Sequence, residues 1–367
     1  MKIMMLSPFS ARSAGMNRLY QIAINMQNEV RFILPKRDKY GVSFDDSRFY
    51  FPLENKSFLT LPIYIAKSLL HLLSQKPDVV YFYKCHPFTF LPAILYKIIN
   101  PKCTTLLDCD EWESATLKDN DEPFYKLFFM EILSKFCIWF ADKIIYANEY
   151  IKSEKIPAKY WGKCFYLPNG VDTKRFKPLK VKKQKGFHIF LVSYLYKIKH
   201  ILSVVEMVDR VRADIPHLVC HIIGDGPKKG ELQQIIKKRN LEEYFIFLGV
   251  VPYEKLPGLL SSADAIVVPY SPLEGMHYQS NVKVFEFMSL GKPIIASDVG
   301  ELRKYLENGK AGYIVHPDDA AELSCALISI YKNKAEAAKK ASYAREVSIK
   351  KNDWKLRAKS LERILVS

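Results

Sequence analysis

The run LLDCDEWES sets Asp108, Asp110, Glu111 and Glu113 almost side by side in a chain that is otherwise basic. Like charges that close serve acid–base work through split pKa values, hold a metal, or contact sugar hydroxyls; a solvated helix N-terminus is the plain alternative. Asp108-Cys109-Asp110 is also a D-x-D triplet, a pattern able to hold Mg²⁺ or Mn²⁺ between phosphates. A second constellation lies in SNVKVFEFM. Ser280, Asn281 and Val282 open a helix whose free N–H groups suit a diphosphate, Lys283 adds positive charge, and Glu286 one turn later suits the two hydroxyls of a ribose. Phe285, Phe287 and Met288 give Glu286 an apolar setting and argue against a simple surface charge. In SYLYKIKH, Lys197 and Lys199 offer a grip on phosphate, with a solvated basic loop as the alternative. Gly224 in IIGDGPKKGEL is a weak phosphate cradle taken alone, and in FLGVV the backbone amides of Gly249 to Val251 meet a base edge. PFSARSAGM, with Gly15 as its one glycine, is an anion-binding helix start or an ordinary βα turn, the helix beginning near Asn17.

Short apolar runs separated by helical patterns must position these groups. KIMMLS, VRFILP, DVVYFY, CTTLLD, KIIYAN and KCFYLP read as buried parallel strands, and HIFLVS, LVCHIIG, FIFLG, AIVVPY and KPIIAS repeat the pattern in the second half. The fold class is α/β, two doubly wound Rossmann-like domains facing a central cleft, with ligands at the carboxyl ends of the strands. The expected divisions are 1–173, 174–345, and a C-terminal helix 346–367 that packs back on the first domain through Trp354. The Lys-rich stretch Lys174 to Gly186 reads as the linker. Before it, YLPNGVDTKRFKP reads as a hinge: a turn at Pro168 to Gly170, then a one-turn helix capped by Asp172.

Composition narrows the classes further. At 367 residues the chain is too long for one ordinary core, and 49% hydrophobic with 26% charged residues excludes collagen and low-complexity disorder. Seven scattered cysteines without a C-x-x-C pair indicate neither a zinc site nor a disulfide framework, and fit a reducing compartment. MKIMMLSPFS is too short an apolar run for a secretory signal, so a cytoplasmic protein is expected. The stretch from Lys126 to Ala147 comes nearest to a membrane span but holds Glu131, Lys135 and Asp142. Its aromatic residues Phe128, Phe129, Phe136, Trp139 and Phe140, with Lys126 and Lys135, read mainly as core packing, and otherwise as a membrane-surface face. The net charge of +16 attracts polyanions, and no helix-turn-helix, zinc or aromatic-basic motif favours nucleic acid among them.

The order and spacing of LPNGVDTKRFKP, LVSYLYKIKH, IIGDGPKKGEL, FIFLGVVPYEKLPGLLSSADAIVVP, KVFEFMSLGKPIIASDVGEL and AGYIVHPDD resemble the retaining nucleotide-sugar glycosyltransferases of family 4, with the GT-B fold, over essentially the whole chain. The resemblance implies a nucleoside diphosphate sugar (UDP- or GDP-linked) as donor substrate, no bound cofactor or metal, and a glycan or lipid-linked glycan as acceptor, at the inner face of the cell membrane. Carried over, Lys199 grips the diphosphate, Gly249 to Val251 meet the base, and Lys283 and Glu286 hold the nucleotide. Departures stand beside these. Tyr194 occupies the place of the family's Arg, with Lys197 as substitute. Tyr278 stands eight residues before Glu286 where a glutamate is common, and Glu274 is off register. Asp110 replaces the family's acceptor-side His, and the N-terminal glycine pair is reduced to Gly15. The implied catalytic set is Asp110, Glu111 and Lys199. Three other readings remain: a non-catalytic binding or stabilising subunit of the same fold, a sugar-nucleotide epimerase, and a metal-dependent transferase using Asp108 and Asp110.

Overall fold

The computed structural model describes residues 1–10, 14–36, 47–53, 57–182 and 185–367. They form two compact units, one of Met1–Gly170, His277–Ser280 and Trp354–Ser367, the other of Val171–Met276 and Asn281–Asp353. The chain changes unit at Gly170 and Asp353 rather than at 173 and 345, so residues 346–353 stay with the second unit. Residues 11–13 of PFSARSAGM, and 183–184 of the Lys-rich linker, lie outside the described residues.

The first unit is built on a parallel sheet of β1 (Lys2–Leu6), β2 (Glu29–Ile33), β3 (Phe49–Tyr50), β4 (Val79–Tyr83), β5 (Thr104–Cys109), β6 (Lys143–Tyr146) and β7 (Cys164–Tyr166), in the order β3-β2-β1-β4-β5-β6-β7. Its central strands are buried along nearly their whole length, which is why their sequences are continuous apolar runs. β3 was not expected: two residues carry no periodic signal, and it is held by its register on Phe32 and Ile33, with the Phe32 and Phe49 rings edge to face at 5.1 Å. The helices are α1 (Asn17–Asn25), α2 (Leu61–Gln75), α3 (Pro87–Ile99), α4 (Glu113–Asp119) and α5 (Phe124–Phe140).

The second unit repeats the plan with β8 (Phe187–Val192), β9 (Leu218–Ile223), β10 (Phe245–Gly249), β11 (Ala265–Val268), β12 (Ile294–Ser297) and β13 (Tyr313–Val315), in the order β10-β9-β8-β11-β12-β13. The short edge strand β13 is again an addition. Its helices are α6 (Lys199–Val211), α7 (Lys229–Lys238), α8 (Leu256–Leu260), α9 (Glu274–His277), whose last residue belongs to the first unit, α10 (Val282–Ser289), α11 (Leu302–Tyr305), α12 (Ala320–Lys332) and α13 (Lys334–Val347). The final helix, α14 (Trp354–Val366), buries Trp354, Leu361 and Leu365 in the first unit's core beside Leu19 and Ile22 of α1.

Both sheets reverse strand order beside their first strand, at β1/β4 and at β8/β11. Ligand-binding loops of open α/β sheets gather at the carboxyl ends of the strands at such points. Two local expectations are corrected. Asp172 caps no helix: its side chain accepts the Lys174 and Arg175 amides, each at 3.0 Å, in a simple turn. And α5 is not mainly a core helix. Ser134, Cys137 and Ile138 are its buried residues, whereas Phe128, Phe129, Phe136 and Trp139 are exposed.

Candidate functional site

In the second unit, the loops that follow β8, β9 and β10 are laced together by backbone hydrogen bonds: Ser193 to Ile223 O at 3.0 Å, Leu195 to Asp225 O at 3.0 Å, and Gly224 to Gly249 O at 2.7 Å. Gly224 has φ +126°, and a Cβ there would stand 1.9 Å from the Ser193 carbonyl oxygen. Only glycine lets the two loops close that tightly. Gly249, at φ +64°, turns the chain after β10; Val250 is exposed and Val251 half-buried.

Against this platform lies α10. Asn281 precedes it without a side-chain cap, leaving the first-turn amides to other partners. Lys283 extends its ammonium to the end of β8, donating to Val192 O at 3.3 Å. Burial lowers its pKa, and Glu286 works against that shift. Glu286 is 5% exposed and accepts the Tyr253 hydroxyl on Oε1 at 2.6 Å. Burial raises its pKa to about 7, although Tyr253, Lys283 and Arg175 all act to lower it. Lys199, the first residue of α6, is exposed and forms an ion pair with Asp318 at 3.3 Å, and Ser271 donates to that same carboxylate at 2.6 Å. His200 beside it bonds Ser193 Oγ at 3.1 Å, and burial lowers its pKa to about 4, so it is neutral at pH 7.

The structure thus brings Lys199, Gly224, Gly249, Val250, Val251, Asn281, Val282, Lys283 and Glu286 to the carboxyl side of one sheet. Tyr194 is exposed on the same β8–α6 loop, stacked on Tyr196 at 6.3 Å, with Lys197 further along the loop. Three expected nucleotide contacts belong to the first unit. Tyr278 belongs to the first unit, where its ring is buried in the core and its hydroxyl donates to Glu154 at 2.8 Å. Ser280 is also of the first unit, accepting the Asn169 amide at 3.0 Å and the Asn169 side chain on its carbonyl at 2.6 Å. Gly15 lies there too, and it is glycine for a packing reason: a Cβ would meet the Phe9 ring at 2.5 Å.

In the first unit the acidic run is not a solvated loop. Asp108 is fully buried and accepts Arg18 Nε at 2.7 Å and Nη2 at 3.1 Å, together with the Tyr81 hydroxyl. Arg18 also reaches Asn169 Oδ1 at 3.1 Å and Leu167 O at 2.8 Å. Burial opposes the guanidinium charge, yet Asp108, Tyr81 and Asp110 together outweigh it and the pKa is raised. With both oxygens engaged by Arg18, Asp108 has no free edge to offer a cation, and the D-x-D reading loses its first ligand; no group of three such side chains suited to a metal occurs among the described residues. One residue pair on, the Tyr83 hydroxyl donates to Asp110 Oδ2, and Lys84 pairs with Glu111 and lies 3.7 Å from Asp110 Oδ1. Asp110 Oδ1 is buried and accepts no hydrogen bond. The Phe9 ring, backed by Gly15, closes one side, with the Lys84 ammonium 5.3 Å from its centroid. Glu113 accepts the Cys85 amide at 3.2 Å, and burial pushes its pKa well up.

The residues the sequence did not single out are Arg18, Tyr81, Tyr83, Lys84, Tyr253 and Asp318. For the tyrosines a signal existed: Tyr81 and Tyr83 alternate with Val80 and Phe82, so both hydroxyls fall on one face of β4 beside Asp108 of β5.

Residues 172–347 match the family described as Glycosyl transferases group 1. A glycogen synthase of Mycobacterium tuberculosis is 26% identical over 190 residues, covering 51% of this chain but only 44% of its own length. The chain thus spans less than half of that relative. Among solved structures, sucrose-phosphate synthase from Thermosynechococcus elongatus superposes with a TM-score of 0.78 at 17% identity, covering 99% of this chain and 98% of its own. Anabaena Alr3699/HepE in complex with UDP-glucose does so with a TM-score of 0.76 at 18% identity, covering 100% and 99%. The fold is GT-B, and within it residues 172–347 are similar to the glycosyl transferases group 1 family.

Proposed function

We propose that this protein is a glycosyltransferase moving a sugar, with retention, from a nucleoside diphosphate sugar to a hydroxyl of a glycan or lipid-linked glycan at the cytoplasmic face of the membrane. The observation that carries the reading is the pairing of Lys283 and Glu286 on the first turns of α10, one reaching the end of β8 and the other held by Tyr253. A half-buried cation without a carboxylate contact, such as Lys283, is raised in free energy until an anion arrives, and a diphosphate supplies that anion. Lys199, Lys283 and the α10 N-terminus then offset charge that grows on the departing diphosphate. Tyr253 holds Glu286 through Oε1, and Oε2 suits a ribose hydroxyl. In the first unit, Asp110 Oδ1 is the acceptor atom suited to an incoming hydroxyl proton, and Tyr83 and Lys84 fix its orientation, with Glu111 beside it.

The bound UDP-glucose of the HepE structure makes UDP-glucose the first donor to try, with GDP-mannose as the alternative base and sugar. Calorimetric titration with UDP, GDP and their sugars, followed by assay of sugar release and transfer, tests the reading. Failure of every sugar nucleotide to bind or turn over would end it. Binding without turnover points instead to a non-catalytic member of the fold, a reading favoured by the burial of Tyr278 in the first unit's core. Interconversion of the donor without an acceptor points to an epimerase.

A further inference from the structure

We propose that the outward face of α5, continued by α3 and α2, docks the first unit onto an anionic lipid bilayer. On α5, Phe124 is 79% exposed, Phe128 58% and Trp139 58%, with Tyr125, Phe129, Ile132 and Phe136 exposed beside them. At 100° per residue these seven positions fall within one arc of the helix, opposite the buried Ser134 and Cys137. The patch does not end with the helix. Phe136 packs edge to face on Phe90 of α3 at 5.2 Å, and Phe88 of α3 packs on Tyr64 of α2 at 5.0 Å. Leu95, Ile98 and Ile99 of α3 and Ile63 and Leu70 of α2 are exposed as well. An apolar surface spread over three adjacent helices is more than scattered surface residues and requires an occupant.

Charge selects it. Across α2, α3 and α5 the one acidic residue is Glu131, and its carboxylate is occupied by Trp112 Nε1 at 3.0 Å and Ser114 Oγ at 2.8 Å. Lys67 and Lys135 are exposed among the apolar side chains, and Lys102 follows α3. A face of aromatic and aliphatic residues dotted with lysine and stripped of outward acid is matched by acyl chains under anionic headgroups; a second copy of the same face would bring like charges together. No helix of the described residues is long and apolar enough to cross a membrane, so α5 lies in the interface, where Phe and Trp are most at home.

This deepens the lipid-linked acceptor of the proposed function, yet its test uses neither donor nor acceptor, so the two readings can fail separately. The full chain is sedimented with vesicles of phosphatidylcholine alone and with a third phosphatidylglycerol. The expected results are at least tenfold tighter binding to the anionic vesicles, a loss of at least tenfold in Phe128→Ser/Trp139→Ser, and a severalfold loss in Lys135→Glu. Quenching of wild-type tryptophan fluorescence by bromolipid, absent in Trp139→Phe, reports the same contact without a disruptive variant. Wild-type protein that stays in the supernatant overturns the proposal, as does a double variant that binds unchanged. So does a wild-type dimer in light scattering that the double variant converts to monomer.

Discussion

The two units share one topology and treat charge in opposite ways. In the first, Arg18 with Asp108 and Lys84 with Asp110 and Glu111 are paired and stitched to Tyr81 and Tyr83 before any ligand arrives. In the second, Lys283 donates to a carbonyl, Lys199 makes an exposed ion pair with Asp318, and Glu286 is buried with a tyrosine as its hydrogen-bond donor. A buried pair is set in place by folding, while a buried charge without a counter-charge is held in reserve for a ligand. The first unit therefore spends its ionic contacts on architecture, and the second leaves them for binding.

The largest effect should come from breaking the first arrangement. Arg18→Met leaves Asp108 buried without its cation and should cost about 3–5 kcal/mol, seen as a lower denaturant midpoint. Lys199→Ala, by contrast, removes an exposed ion pair and should move stability by less than about 0.5 kcal/mol. The next effect is kinetic. Lys283→Ala should lower kcat/KM for the sugar nucleotide by about 100-fold with little change in melting temperature, as expected when a group acts on developing charge.

Glu286 tests the comparison through pH. Its folded pKa of about 7 lies above the ordinary value of 4.5, so between those values the folded state binds more protons than the unfolded. Stability contributed by this group therefore falls as pH rises from 4.5 to 7, by up to about 3 kcal/mol. Glu286→Gln should flatten that dependence and be the more stable protein at pH 8, while binding the donor more weakly. A ribose diol needs the ionised carboxylate, so donor KM should improve as pH rises through 7. The smallest effect sharpens the same point: Tyr253→Phe removes a bond that favours the carboxylate and should move the midpoint of the KM profile to higher pH, with KM raised severalfold at pH 7 and kcat nearly unchanged.

Much of this was legible in residues alone, for different reasons in the two units. The second-unit set is local: Lys283 and Glu286 lie on one helix, and Gly224 and Gly249 mark turns whose backbone only glycine adopts readily. Tyr253 escaped notice because its bond to Glu286 spans 33 positions. The acidic run was visible, but its meaning was not, since Asp108 finds Arg18 90 positions away and a lone arginine on α1 carries no signal of a distant partner. The aromatic face of α5 misled for a related cause. Apolar residues run round that helix on nearly all sides, so periodicity could not tell the buried face from the exposed one.

What the sequence determined by itself was the alternation of buried strands with helices, the two-unit α/β plan, and the helix and turns that carry the second-unit site. These follow from short-range rules of burial, glycine conformation and helix ends. Tertiary structure alone decided which charges are spent, which are left for a ligand, and which apolar face stays in solvent. Each of those depends on what lies within a few ångströms in space, and residues far apart along the chain supply it.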